Sequence, residues 1–165
     1  MVDSVNSSWW KGHRGEWYVI IQIGIFALVI FGPRTISDLH PWTSPYAQTC
    51  SIIGVALLLT GAALILAGFL KLGKNLTPLP YPKEHAALIE TGPYRIVRHP
   101  IYSGGIIMAF GWALWINGWL TIVYAAILLI FLDIKSRREE QWLKDKFADY
   151  AQYQERVRKL IPFLY

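Results

Sequence analysis

The sequence contains little charge for its length, and long parts of it contain none. Asp, Glu, Lys and Arg make up only 16% of the 165 residues, whereas soluble domains average about 25%. No charged side chain occurs at positions 17–33, 39–70 or 99–132. A soluble domain of this size cannot bury three such stretches, and their apolar content also excludes a disordered chain or a coiled coil. The sequence therefore predicts an integral membrane protein.

Other absences remove further classes of protein. The single Cys50 permits neither an internal disulfide nor a cysteine metal cluster. His13, His40 and His85 show no metal-ligand spacing, so no metal site is expected. Although the net charge is +5, the basic residues lie between apolar blocks, which excludes a nucleic-acid-binding domain.

The apolar blocks divide into four predicted membrane spans. A span needs about 20 residues, and the first two run from Trp17 to Phe31 and from about Ala47 to Leu70. The block at 101–132 would reach about 48 Å as one helix, which is too long for a bilayer. Because a turn signal, Asn117-Gly118, lies at its centre, we predict a tight hairpin of two short helices, Ile101–Ile116 and Trp119–Leu132.

Three glycines repeat every seven residues along the second predicted span. Gly54, Gly61 and Gly68 fall on one face of the helix, where a neighbouring helix can approach closely. The spacing predicts a helix-packing seam rather than a ligand site.

The four-span arrangement places nearly all basic residues on one side of the membrane. The tail to residue 16, the segment 71–100 and the tail from 135 together hold 15 of the 16 Lys and Arg residues, and only Arg34 lies opposite. By the positive-inside rule, both termini and the central connector are expected in the cytoplasm.

Two polar clusters flank the predicted hairpin. In the proline-rich connector 71–100, Arg98 and His99 precede the start of the third span, where a helix N-terminus attracts anions. After the fourth span, Lys135 and Glu139 are spaced to share one helix face. Each cluster alone has an ordinary interpretation, lipid-headgroup contact or a solvated helix end. Together they predict a cavity at the membrane edge for a zwitterion, with its carboxylate toward His99 and its ammonium toward Glu139.

These motifs resemble those of the isoprenylcysteine carboxyl methyltransferase family and of the related membrane phospholipid N-methyltransferases. The resemblance covers about residues 70–165 and is carried by an ordered series of short elements. In chain order they are Gly73-Lys74-Asn75, Leu88-Ile89, Gly92-Pro93-Tyr94, Arg98-His99-Pro100-Ile101-Tyr102, Glu139-Glu140, a helix at Phe147 to Tyr153, and Ile161-Pro162-Phe163.

The resemblance implies an all-α membrane methyltransferase that uses S-adenosylmethionine, held at the cytoplasmic membrane edge by the connector and a tail helix. Residues 71–165 would form the catalytic region after an N-terminal two-span region at 1–70, in one folded unit. The cofactor contacts implied are Ala87, Leu88, Ile89, Tyr94, His99, Pro100, Ile101 and Tyr102, with Glu139 at the ammonium end. No Gly-x-Gly occurs, which excludes the Rossmann-type site of soluble methyltransferases.

The resemblance also implies a basic residue directed at the methyl acceptor, four positions before the first glutamate of the pair. Lys135 occupies that position, where the enzymes that act on prenylated proteins have arginine, and Arg138 is the alternative. Methyl transfer from a sulfonium is an in-line displacement that requires alignment and exclusion of water. A carboxylate acceptor needs no base, whereas a thiol or amine needs one, for which Glu140 is the candidate. The acceptor would be lipophilic or small, and lipophilic acceptors would enter from the bilayer between helices.

Two other functions stay open. One is a membrane reductase that uses NADPH, because membrane sterol reductases have a similar end region but are usually much larger. The other is a small accessory or transport subunit, which would not need so elaborate a connector. The intramembrane charges that mark ion pathways are missing from the spans.

Overall fold

The computed structural model describes residues 15–36, 42–43, 45–162 and 164–165. Over these ranges the chain forms five α-helices and no strand. They are α1 (Glu16–Phe31), α2 (Tyr46–Leu72), α3 (Pro100–Trp115), α4 (Trp119–Lys146) and α5 (Tyr150–Arg156). The all-helical fold class expected from the sequence is confirmed.

Two helices, α2 and α4, are long and apolar enough to cross a membrane, and α1 is a shorter apolar helix of 16 residues. The bounds of α1 and α2 lie within two residues of the predicted spans. Lys11 and Arg14, which count toward the predicted orientation, lie outside the described residues.

A tight turn joins α3 and α4 at the position that the sequence indicates. Asn117 adopts the left-handed conformation, with φ of 53°, which Asn tolerates better than most residues. The fourth helix does not end at Leu132 but continues to Lys146. Most of the polar residues that follow Leu132 are good helix formers, and positions 133–146 contain no Gly or Pro, so nothing in the sequence stops the helix there.

The glycine seam predicted on α2 packs against α3, at the distance of backbone contact. A Cβ atom added to Gly54 would lie 2.6 Å from the carbonyl oxygen of Gly111, and one added to Gly61 would lie 2.6 Å from that of Gly104. At Gly68 it would lie 2.9 Å from the side chain of Ile101. Gly104 and Gly111 are themselves seven residues apart, so both helices contribute a glycine row. The seam fixes the start of α3 against the end of α2.

The connector between α2 and α3 is mostly irregular and pairs with the C-terminal tail. It contains 3-10 turns at Gly73–Asn75 and Gly92–Arg95. Its last residues run beside the tail, where the amides of Arg98 and His99 donate to the carbonyls of Arg158 and Lys159 at 2.8 and 3.1 Å. The tail helix begins at Tyr150, three residues later than expected, because Phe147 has extended backbone and ends α4.

Candidate active site

A cavity of about 440 Å³ lies where the connector, the tail and the adjoining ends of the helices meet. All nine residues expected to bind the cofactor line it: Ala87, Leu88, Ile89, Tyr94, His99, Pro100, Ile101, Tyr102 and Glu139. Lys135 lines it as well. The fold thus brings together residues that are up to 52 positions apart in the sequence, from Ala87 to Glu139.

Glu139 presents a carboxylate to this cavity from α4. Its Oε2 atom accepts a hydrogen bond of 2.8 Å from the Tyr102 hydroxyl and lies 3.8 Å from His99 Nδ1. Its Oε1 atom has no hydrogen-bond partner in the part of the chain that the structure describes. One oxygen of Glu139 therefore orients the side chain, and the other is available to a cationic ligand.

His99 lies between the two glutamates of the pair. Its Nε2 atom lies 3.1 Å from Glu140 Oε1, its Nδ1 atom faces Glu139, and its ring stacks parallel on Tyr102 at 5.4 Å. Because both ring nitrogens face carboxylates, His99 is poorly placed to bind the carboxylate of a zwitterion. In the structure His99 therefore contacts the two glutamates, and its contact with a ligand carboxylate stays a prediction.

Glu140 does not line the cavity. It pairs with Arg98 and contacts His99, two residues that do line the cavity. Its Oε1 atom accepts from Arg98 Nε at 2.7 Å and its Oε2 atom accepts from Gln154 Nε2 at 2.8 Å. Burial alone would raise the pKa of Glu140, but the hydrogen bonds from His99 and Arg98 outweigh burial and lower that pKa to about 2. So acidic a carboxyl group is a weak proton acceptor, which argues against the base function expected for it.

Adjacent residues on a helix point about 100° apart, and this explains the difference between the two glutamates. Glu139 shares the cavity face of α4 with Lys135, four residues earlier. Arg138 lies on the outside, where its guanidinium stacks over the Trp142 ring at 4.5 Å and donates to Gln141. The structure therefore brings Lys135, and not Arg138, into the cavity.

Lys135 is almost fully buried, with 2% of its surface exposed. Its Nζ atom donates to Gln22 Oε1 on α1 at 2.6 Å and approaches the Pro78 carbonyl oxygen at 3.4 Å. It also lies 5.2 Å from the centroid of the Tyr102 ring. Neutral acceptors and a π-face thus hold this cation at the cavity wall.

The C-terminal tail closes one side of the cavity and is fixed by the connector. The Tyr153 hydroxyl donates to the Tyr94 carbonyl at 2.6 Å, and Arg98 Nη1 donates to the carbonyls of Gln154 and Val157 at the end of α5. Burial, and secondarily the Glu139 carboxylate, raise the pKa of Tyr94, so its phenol remains protonated.

Several cavity residues were not expected from the sequence. They come from α1 and α2, from the last turn of α4, or from individual positions of the predicted tail helix: Val19, Gln22, Phe69, Leu72, Leu143, Phe147, Tyr150 and Tyr153. One signal was present, because Gln22 is the only carboxamide in the charge-free stretch 17–33, and isolated polar residues in apolar helices are frequently functional.

Over residues 49–150, more than half of its length, the sequence matches the phospholipid methyltransferase family. The chain belongs to this family. The matched range includes the connector, the α3–α4 hairpin and both Lys135 and Glu139. Family membership and two long apolar helices together indicate a membrane protein.

This member of the phospholipid methyltransferase family has relatives whose names describe different functions. It is 33% identical over 129 residues to protein-S-isoprenylcysteine O-methyltransferase B of Arabidopsis thaliana, covering 76% of this chain and 62% of that protein. It is 39% identical over 92 residues to methanethiol S-methyltransferase 1 of Bradyrhizobium diazoefficiens, covering 55% and 29%. It is 26% identical over 157 residues to the cobalt-zinc-cadmium resistance protein CzcN of Cupriavidus metallidurans, covering 92% and 65%.

The chain spans less than two thirds of the length of each of these relatives. The similarity to protein-S-isoprenylcysteine O-methyltransferase B confirms the resemblance to that family seen in the sequence motifs.

Proposed function

We propose that this chain is an integral membrane methyltransferase that transfers a methyl group from S-adenosylmethionine to a lipophilic or small acceptor. The observation that carries the proposal is the convergence on one cavity of Lys135 and all nine residues expected to hold the cofactor. Relatives named as O- and S-methyltransferases support the same class of reaction.

The cavity fits such a cofactor in size and in chemistry. Its volume of about 440 Å³ lies within the range of roughly 300–1,000 Å³ that is usual for small-molecule sites. Glu139 offers the open Oε1 oxygen to an ammonium group, and the apolar side chains of Leu88 and Ile89 offer a surface for a planar ring. When bound, S-adenosylmethionine supplies a methyl group activated by its positively charged sulfur.

We assign the acceptor end of the cavity to Lys135. This cation lies at the cavity wall beside α1, held by Gln22, and can donate to an anionic or polar group of the acceptor. Arg138 points away from the cavity. Glu140 is given a positioning function instead of a base function, because it holds Arg98 and His99 in place.

The protein contributes alignment and exclusion of water in this account. Tyr102 and His99 orient Glu139, while Tyr150 and Tyr153 of α5 line the cavity and are almost fully buried. Fixing two reactants in a dry site is the main contribution that a protein can make to an in-line displacement.

The proposal includes four membrane crossings, with both termini and the cavity on the cytoplasmic side. It is supported by the 15 of 16 basic residues that fall on one side of that arrangement. We propose the same side for the cavity, because residues of the connector and the tail contribute much of its lining.

Binding of S-adenosylhomocysteine to the detergent-purified protein tests the proposal. We expect Glu139→Gln to weaken binding by about 100-fold, because a charge-assisted contact in a half-buried site is lost. The matched control is Glu155→Gln, an exposed glutamate on α5 outside the cavity, which should bind like the wild type.

Two results would contradict the proposal. One is a wild-type protein that binds no S-adenosylhomocysteine but is retained on NADPH resin, which would favour the reductase alternative. The other is equal affinity of the Glu139→Gln variant and the wild type, which would place the cofactor elsewhere.

A further inference from the structure

Asn75, in the Gly73-Lys74-Asn75 element after α2, makes two hydrogen bonds to the backbone of one connector residue. Its Nδ2 atom donates to the Ala87 carbonyl at 3.0 Å, and its Oδ1 atom accepts from the Ala87 amide at 3.4 Å. The side chain therefore pairs with Ala87 as a neighbouring β-strand would, across twelve positions of sequence.

The segment that follows Ala87 needs such a support. Residues 86–90 belong to no helix or strand. Within the part of the chain that the structure describes, the backbone amides and carbonyls of Leu88 and Ile89 make no hydrogen bond. Both residues line the cavity, so these groups are available to a ligand but are not held by the protein.

The other side-chain contacts on this part of the connector involve Lys83, Glu84 and Glu90, which do not line the cavity. Lys146 Nζ donates to the Glu84 carbonyl at 2.8 Å, and Arg156 pairs with Glu90 at 2.8 Å. The pair with Arg156 is largely solvent-exposed, and exposed ion pairs contribute little. Asn75 is a cavity residue itself and is bonded directly to the first residue of the 87–89 segment.

We propose that Asn75 is a positioning residue of the cofactor site, which fixes the backbone of Ala87, Leu88 and Ile89 at the cavity wall. The Asn75 amide bonds the amide and carbonyl of Ala87 and leaves those of Leu88 and Ile89 to the ligand. The inference rests on the proposed function, since it names the residue that shapes one wall of the same site.

Two substitutions of Asn75 separate the effect of its hydrogen bonds from the effect of its side-chain size. Asn75→Ala removes both hydrogen bonds. Asn75→Asp keeps the size and the acceptor for the Ala87 amide, but it offers no donor to the Ala87 carbonyl and places a carboxylate oxygen against it. We expect both variants to raise the Kd for S-adenosylhomocysteine roughly tenfold, with Asn75→Asp affected at least as strongly as Asn75→Ala.

The matched control removes a different amide at the opposite end of the helices. Asn117→Gly deletes the hydrogen bond from Asn117 to Ser51, and glycine tolerates the positive φ of that turn. This variant should bind S-adenosylhomocysteine as the wild type does, even if its melting temperature falls.

Hydrogen exchange of a peptide that covers 84–91 is the second readout and needs no ligand. We expect faster exchange there in Asn75→Ala, which leaves the Ala87 amide without its acceptor, with the exchange of α3 unchanged. Wild-type affinity in both Asn75 variants, or equal loss of affinity in Asn117→Gly, would overturn the inference. If the wild type binds no S-adenosylhomocysteine, the proposed function fails. Unchanged exchange at 84–91 would then refute the contact of Asn75 with Ala87, and faster exchange would uphold it.

Discussion

Helix α2 meets the rest of the molecule in two contrasting ways. It packs against the backbone of α3 at Gly54 and Gly61 and against the Ile101 side chain at Gly68, with no room for a methyl group. At its last turn, Phe69 and Leu72 instead face a cavity of about 440 Å³. The same pair of helices thus provides a rigid seam over most of its length and an open site at one end.

The contrast indicates how a small helical protein holds a site in shape. The seam fixes the first turn of α3, which carries Pro100, Ile101 and Tyr102 into the cavity wall. Side chains from the irregular connector and from α4 are then placed against that fixed turn. We therefore expect changes in the seam to act on stability, and changes in the cavity to act on ligands.

The largest effect is expected at the seam. Gly61→Leu should destabilise the protein by about 3 kcal/mol or more, because its side chain would have to displace the backbone of Gly104. Gly24→Leu on α1 is the matched control, since nothing lies within 4 Å of a Cβ atom there. Melting temperatures in detergent measure both, and equal melting temperatures for the two variants would refute the close seam.

The next largest effect separates the two ends of the cavity. Lys135→Met should lower methyl transfer about 100-fold, because one stabilising charge at the acceptor is lost, while the Kd for S-adenosylhomocysteine changes less than about threefold. Lys144→Met, on the exposed face of α4, is the control. Turnover is measured with a labelled methyl donor and crude lipid and thiol extracts as acceptors.

Equal losses of turnover and cofactor affinity in Lys135→Met would contradict this division of the cavity. They would place Lys135 at the cofactor instead of at the acceptor.

The smallest effect concerns the ion pair of Glu140 with Arg98. The pKa of Glu140 is lowered from its ordinary value of 4.5 to about 2 in the folded protein. The charge of Glu140 therefore stabilises the fold fully above about pH 4.5, and this stabilisation is lost as the pH falls toward 2. Between pH 6 and pH 3.5, the stability advantage of the wild type over Glu140→Gln should shrink by about 1 kcal/mol. Thermal melts across this range measure it, and an advantage that grows on acidification would contradict the assignment.

The helical framework was predictable from the sequence because charge is excluded from the apolar spans. The gaps at 17–33, 39–70 and 99–132 and the Asn117-Gly118 turn located α1 to α4. The sequence did not indicate the partner of the glycine seam, since pairing between two helices depends on tertiary packing. The sequence predicted too early an end for α4. High hydropathy stops at Leu132, whereas the residues up to Lys146 still favour a helix.

The cavity residues that could be predicted from the sequence are mainly those that belong to short motifs. Gln22 was missed because it lies 113 positions from Lys135 and no local pattern links the two. The different orientations of Glu139 and Glu140 follow from helix geometry alone, but which of them faces the cavity depends on how Arg98 and the tail pack.

Ligand-induced protection in hydrogen exchange tests the central claim that this cavity is the cofactor site. The wild-type protein in detergent is compared with and without S-adenosylhomocysteine. The account predicts slower exchange in peptides covering 84–91, 94–102 and 135–143, and no change at the α3–α4 turn around Asn117. Protection confined to other segments, or no protection at saturating ligand, would contradict it.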